Sequence, residues 1–146
     1  MKNLISFLLA LLTTMFCVPN DALAGNNQTL SRVRRSEAKL KATTVYTECL
    51  LFQSDKGKFP DKAGFEKILL ENTESGHYKV GTIETDPTVK AICPDCRLTG
   101  TSFKFAIYGN IDDDKELDII TMNEKKELML VKDDLGESKV PLNLMK

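Results

Sequence analysis

Over residues 29–54, TLSRVRRSEAKLKATTVYTECLLFQS, Ala38, Ala42, Val45, Tyr46, Cys49 and Phe52 recur at helical spacing. The stretch holds no glycine or proline, so it predicts one long amphipathic helix. Its polar side carries Arg34, Arg35, Glu37, Lys41 and Glu48, with Glu37 and Lys41 as a favourable i,i+4 pair. The helix is expected to stop in SDKGKFPD, where Gly57 can adopt a positive φ and Pro60 cannot continue the helix. Asp61 is then placed to N-cap a short second helix, KAGFEKILLE, which NTESGH ends.

From His77 onward the period changes. HYKVGTI and SFKFAIYGNI alternate apolar with polar positions, and LDIITMN and ELMLV are β-prone runs joined by the short turn EKK. RLTGTSFKF, after the second cysteine of CPDC, also has strand character. Helices first and strands later predict the α+β class: a long N-terminal amphipathic helix packed on a roughly four-stranded antiparallel sheet. GESKVPLNLMK is expected to be a loosely held tail, and no repeat, low-complexity tract or interdomain linker interrupts the chain.

The first residues change the boundaries of this domain. Lys2 gives a positive start, Leu4 to Val18 is an apolar run of about 15 residues, and Ala22-Leu23-Ala24 is a small-x-small cleavage site before Gly25. Residues 1–24 therefore match an export signal cleaved between Ala24 and Gly25, leaving one domain over 25–146 with its core at about 31–132. A lipid-bearing Cys17 is disfavoured by the bulky Phe16 before it. A run of about 15 residues is short for a bilayer span of about 20, so the exported chain is expected to be free of the membrane unless an uncleaved signal serves as an anchor. The expected location is the periplasm or the cell exterior.

Charge narrows the partners. The 146-residue chain has 20 basic and 21 acidic side chains, a formal net charge of -1, and points to neither nucleic acid nor a membrane surface. Within that balance Arg32, Arg34, Arg35, Lys39 and Lys41 lead the mature chain, while acids gather at 112–118 and 133–137. Two solvated faces of opposite sign account for this.

The candidate chemistry lies in two short stretches. In GNIDDDKELDI, Asn110, Asp112, Asp114 and Asp118 occupy the first, third, fifth and ninth positions of an EF-like calcium loop. Lys115 stands where that loop wants glycine, and Thr121 where it wants a bidentate glutamate. A polar hairpin turn is the competing reading, since Asn and Asp bond their own backbone. In CPDC, Cys93 and Cys96 are spaced for a small structural disulfide in an oxidising compartment. A redox role would want the first thiol at a helix N-terminus. Zinc would need a second ligand pair, and only Cys49 and His77 remain. Cys49, on the apolar helix face, is expected to be a buried small hydrophobe, with a bond to Cys93 or Cys96 as the alternative. His77 is the sole histidine, which removes most acid-base and triad arrangements. Tyr46, Tyr78, Phe103, Phe105 and Tyr108 are expected in the core between sheet and helix.

The order of segments resembles a family. SRVRRSEAKLKATTVYTECLLFQSDKGKFPD is similar to the second half of the spine helix of type IV pilins and pseudopilins, where Ser-Glu-Ala-Lys leads to Tyr-Thr and a Gly-x-Phe/Tyr-Pro turn. GHYKVGT, a cysteine pair and GTSFKFAIYGNIDDDKELDIITMNEKKEL resemble the sheet of pilins from predatory and gliding bacteria. The resemblance covers residues 31 to about 132 and implies a pilin-like headgroup. Prepilins also carry a Gly-Phe-Thr-Leu-x-Glu processing site and an apolar half-helix, and a cleavable signal stands in their place here. Without that half-helix the hydrophobic force that stacks filament subunits is missing. The expectation is a non-enzymatic, secreted, pilin-like structural or interaction protein, with pilins or pilus-assembly proteins as partners or with a part in adhesion. It needs no cofactor, Ca²⁺ apart. The competing expectations are a small periplasmic thiol-disulfide protein using CPDC and a calcium-binding module.

Overall fold

A computed structural model describes residues 21–72, 76–110 and 116–132, with side chains from Val33 onward. The elements are α1 (Asp21–Lys56), α2 (Lys62–Asn72), β1 (Tyr78–Gly81), α3 (Pro87–Ile92), β2 (Lys104–Gly109), β3 (Asp118–Asn123) and β4 (Leu128–Lys132). The architecture is α+β, with α1 packed through its turns after Val33 on one four-stranded antiparallel sheet in the order β1-β2-β3-β4. The packing described here belongs to the unit that starts at Val33.

Helix α1 begins at Asp21, ahead of the predicted Thr29, and ends where expected. Gly57 takes φ 72°, which closes the last turn by donating its N–H to the Gln53 carbonyl at 2.8 Å. Asp61 then accepts the Gly64 N–H at 3.1 Å, capping α2. On the sheet side of α1, Ala38, Ala42, Val45 and Cys49 are fully buried. They meet Phe65 and Ile68 of α2 and Phe105, Ile107, Ile120, Met122 and Leu130 of the sheet. The small residues at 38 and 42 bring the helix close, and the aromatic rings fill the space beyond. Phe103 stacks on Phe105 at 5.9 Å and meets the edge of Phe59 at 4.9 Å.

Two details differ from the expected course. RLTGTSFKF is not a strand along its length: Leu98 bridges Phe103, and between them the chain turns at Gly100, φ 68°. The Thr99 hydroxyl accepts the Ser102 N–H at 3.0 Å, and this side-chain bond favours the turn over an extended run. The second difference is α3, inserted between β1 and β2. It and the turn that follows it pack Val89, Cys93 and Cys96 on Ala106, Tyr108 and Ile119, covering the other sheet face. Strand β2 is therefore buried on both faces from Phe105 to Gly109, and Phe-Ala-Ile-Tyr forms an unbroken buried run instead of an alternation.

Candidate functional site

Cys93 and Cys96 are joined as a disulfide, and Cys49 is a free buried thiol on α1. The local sequence sets the disulfide's position. Asp86 is extended and accepts the Thr88 N–H at 2.8 Å, and Pro87 follows at the first helical positions, so α3 starts there. It lasts six residues and ends as the Cys93 N–H reaches the Val89 carbonyl at 2.8 Å. Cys93 thus stands at the carboxyl end of a helix, where the backbone dipole disfavours a thiolate. The two residues are 4% and 0% exposed, so the bond lies beneath the surface. Between them Asp95 is solvent-facing, and Lys104 bonds it at 2.6 Å, which holds its carboxyl below the usual range. Burial pushes the Cys49 thiol up to about 12. These features describe a buried disulfide and a buried, protonated thiol.

The acidic stretch has a different anatomy from the spacing that singled it out. Asn110 follows β2 and Asp118 opens β3 as the partner of Gly109, while Asp112 and Asp114 lie outside the described residues. Asp118 is fully buried. The Tyr78 hydroxyl donates to it at 2.8 Å, and Arg35 of α1 stands 3.7 Å away. Burial first, and then the Asp118 carboxylate, raise the Tyr78 phenol well above its ordinary value. Asp118 therefore joins β3 to β1 and α1 in the interior. Beside it, Lys41 pairs with Glu37 at 3.1 Å and donates to the Tyr78 carbonyl at 2.9 Å. His77, half exposed, is 3.3 Å from Glu37. Burial would raise the Glu37 carboxyl, but hydrogen bonds from Lys41 and His77 outweigh it and hold it low. A Cβ at Gly109 would run into the His77 carbonyl, so this close approach of β1 and β2 needs glycine.

A second pair, with Tyr108 buried and Asp86 half-buried, supports the other sheet face. The Tyr108 hydroxyl donates to Asp86, and burial followed by that carboxylate pushes the phenol up to about 12. Spacing alone did not single out Arg35, Tyr78 or Asp86 for these pairs. Of the aromatics expected between sheet and helix, Tyr78, Phe103 and Phe105 are buried there and Tyr46 is half-buried, whereas Tyr108 is buried on the other sheet face, under α3. The proposed cleavage site Ala24 and Gly25 falls in the backbone span of α1, with its side chains outside the described set.

The outer surface carries the remaining features. Val33, Leu40 and Leu51 are 62%, 68% and 57% exposed. They are seven and eleven residues apart, so at 100° per residue they fall within about 20° of one line along α1. Leu40 borders a groove of ≈ 580 Å³ between α1 and the end of α2, lined also by Lys41, Thr44, Asn72 and His77. A second groove, ≈ 340 Å³, runs between α2 and β1 and is lined by Glu66, Leu69, Leu70, Val80, Thr85 and Asp86. Among the described residues no helix is long and apolar enough to cross a membrane. No protein-family model, curated protein or solved structure matches the chain.

Proposed function

We propose that this chain is an exported, non-enzymatic interaction protein of pilin-like build, which docks on pilus or pseudopilus subunits through the outer face of α1. The observation that carries the reading is the straight apolar line of Val33, Leu40 and Leu51, facing away from the core along five helical turns. Fully burying a leucine or valine contributes about 1.5–3 kcal/mol, so a partner that covers this line gains several kcal/mol from three side chains. A narrow straight line suits another helix laid alongside it. Two further features support the reading. The spine-helix and sheet segments resemble pilins, and the fold order of helix and then antiparallel sheet is the arrangement that resemblance implies. The leader-like start favours the periplasm or the cell exterior, where the cysteine pair would remain oxidised.

A photo-reactive amino acid placed at Leu40 or Leu51 in living cells tests this. Adducts to pilin-type or pilus-assembly subunits are expected from both positions. A probe at Lys90, exposed on α3, should give none. Equal adducts from Lys90, or none with such subunits from α1, would reject the docking face.

A further inference from the structure

We propose that the outer face of α1 pairs with the same face of a second copy of this chain, antiparallel, about a two-fold axis beside Thr43 and Thr44. The pairing itself needs no other partner. Its consequence, that pilus subunits compete with the second copy for this face, rests on the docking reading above and adds its regulation.

The middle of the face is uncharged and its hydroxyls are occupied. Between Val33, Leu40 and Leu51 the outward positions are Ser36, Thr43 and Thr47, all exposed. Glu37, which flanks the line beside Leu40, is held aside by Lys41 and His77. The Thr43 and Thr47 hydroxyls donate within α1, to the Lys39 and Thr43 carbonyls, each at 2.9 Å. Covering these two threonines therefore leaves neither hydroxyl without a partner, which removes the usual cost of drying a polar side chain.

Spacing selects the occupant. Val33 and Leu40 stand about 10 Å apart along the helix axis, with Ser36 between them, and Leu51 lies about 16 Å beyond Leu40. An antiparallel copy reverses that order. Turned about Thr43 and Thr44, it brings its Leu51 into the gap between Val33 and Leu40, about 5 Å from each along the axis and opposite Ser36. The same axis sets the first copy's Leu51 into the same gap of the second, and sets each Leu40 opposite Thr47. Large side chains then alternate along the contact and each faces a smaller one, which is how facing helices interdigitate. A parallel copy places leucine against leucine and threonine against threonine, and leaves the gaps unfilled. From Val33 to the end of this face the contact is about 30 Å long and one helix wide, on the order of 500 Å² from each copy. That is the low end of specific interfaces and fits a weak, exchanging dimer.

Sedimentation velocity of the purified protein from about 5 to 500 µM should show a monomer–dimer equilibrium with a Kd of about 10–100 µM. Leu51→Asp, at an exposed position, should leave the circular dichroism spectrum unchanged and weaken pairing at least about tenfold. Single added cysteines report the direction, since Cys93 and Cys96 are joined and Cys49 is buried. With oxidised glutathione, Thr43→Cys should give a covalent dimer, because the axis brings this position to its own copy. Val33→Cys should not, its counterpart lying about 30 Å away. A protein that stays monomeric at about 500 µM, pairing unchanged in Leu51→Asp, or Val33→Cys dimers as abundant as those of Thr43→Cys would overturn the proposal. A monomer whose α1 still forms adducts with pilus subunits would remove the pairing alone. A dimer without such adducts would support the pairing and remove the docking reading.

Discussion

Tyr78→Phe isolates the interaction that joins the foot of the acidic stretch to the core. The substitution keeps the buried ring and deletes a single hydroxyl, which donates at 2.8 Å to a fully buried carboxylate. A hydrogen bond to a charged group contributes about 1.5–3 kcal/mol, and Asp118 keeps Arg35 nearby, so the expected loss is about 2 kcal/mol. For a domain of roughly 100 residues that corresponds to a fall in Tm of about 8–12 °C. Asp118→Ala removes the buried acceptor of the Tyr78 hydroxyl and the carboxylate beside Arg35, for about 3–5 kcal/mol. Urea denaturation of the two single variants and the double variant, followed by circular dichroism at pH 7, gives the coupling energy. It should be about 1.5–2 kcal/mol, with the double variant little worse than Asp118→Ala. A loss below about 0.5 kcal/mol for Tyr78→Phe, or full additivity, would refute the view that Asp118 serves the interior.

Two further outcomes follow from the buried sulfurs. Replacing both Cys93 and Cys96 by serine opens a very short loop, so thermal or urea unfolding should show a loss of about 2 kcal/mol and a protein that still folds. The raised Cys49 value keeps the folded thiol neutral while an unfolded thiol ionises near its ordinary 9.0. Its contribution is therefore complete below pH 9 and is lost as pH rises toward about 12. Unfolding free energies from urea titrations between pH 8 and 10 should fall with a slope approaching about 1.4 kcal/mol per pH unit, and Cys49→Ala should flatten it. Tyr78 and Tyr108, whose values are also raised, add their losses above pH 10.

The parts of this fold that repeat a local rule were legible in the sequence. Ala38, Ala42, Val45 and Cys49 are buried where the helical period put them, Gly57 and Pro60 end the helix, and Asp61 caps the next one. The strand runs at 78–81, 104–109 and 118–123 fell within the predicted β segments, and the last, 128–132, runs one residue past its predicted end. Helix α3 was harder because six residues carry less than two turns of periodicity, although Asp86-Pro87 marked its start. Missing it also hid the cover on the second sheet face, and with it the burial of Ala106 and Tyr108. Asp118 shows the limit of charge spacing. Alternate acids appear as one set along a line, but the last of them lies in a strand, and its side chain is drawn inward by partners forty residues away in β1 and further off in α1. Such pairings are long-range and leave no mark on the local pattern.

The account's central claim divides the molecule: buried groups hold the fold, and the apolar line on α1 binds a partner. The double substitution Leu40→Asp and Leu51→Asp, introduced into the tagged chain in its own cells, separates the two. The claim predicts a Tm within about 2 °C of the unaltered protein, because both positions are exposed, together with loss of co-purifying pilus subunits. Retention of those subunits at full yield by the doubly substituted protein, or a failure of the unaltered protein to recover them under conditions that keep pili intact, would contradict it.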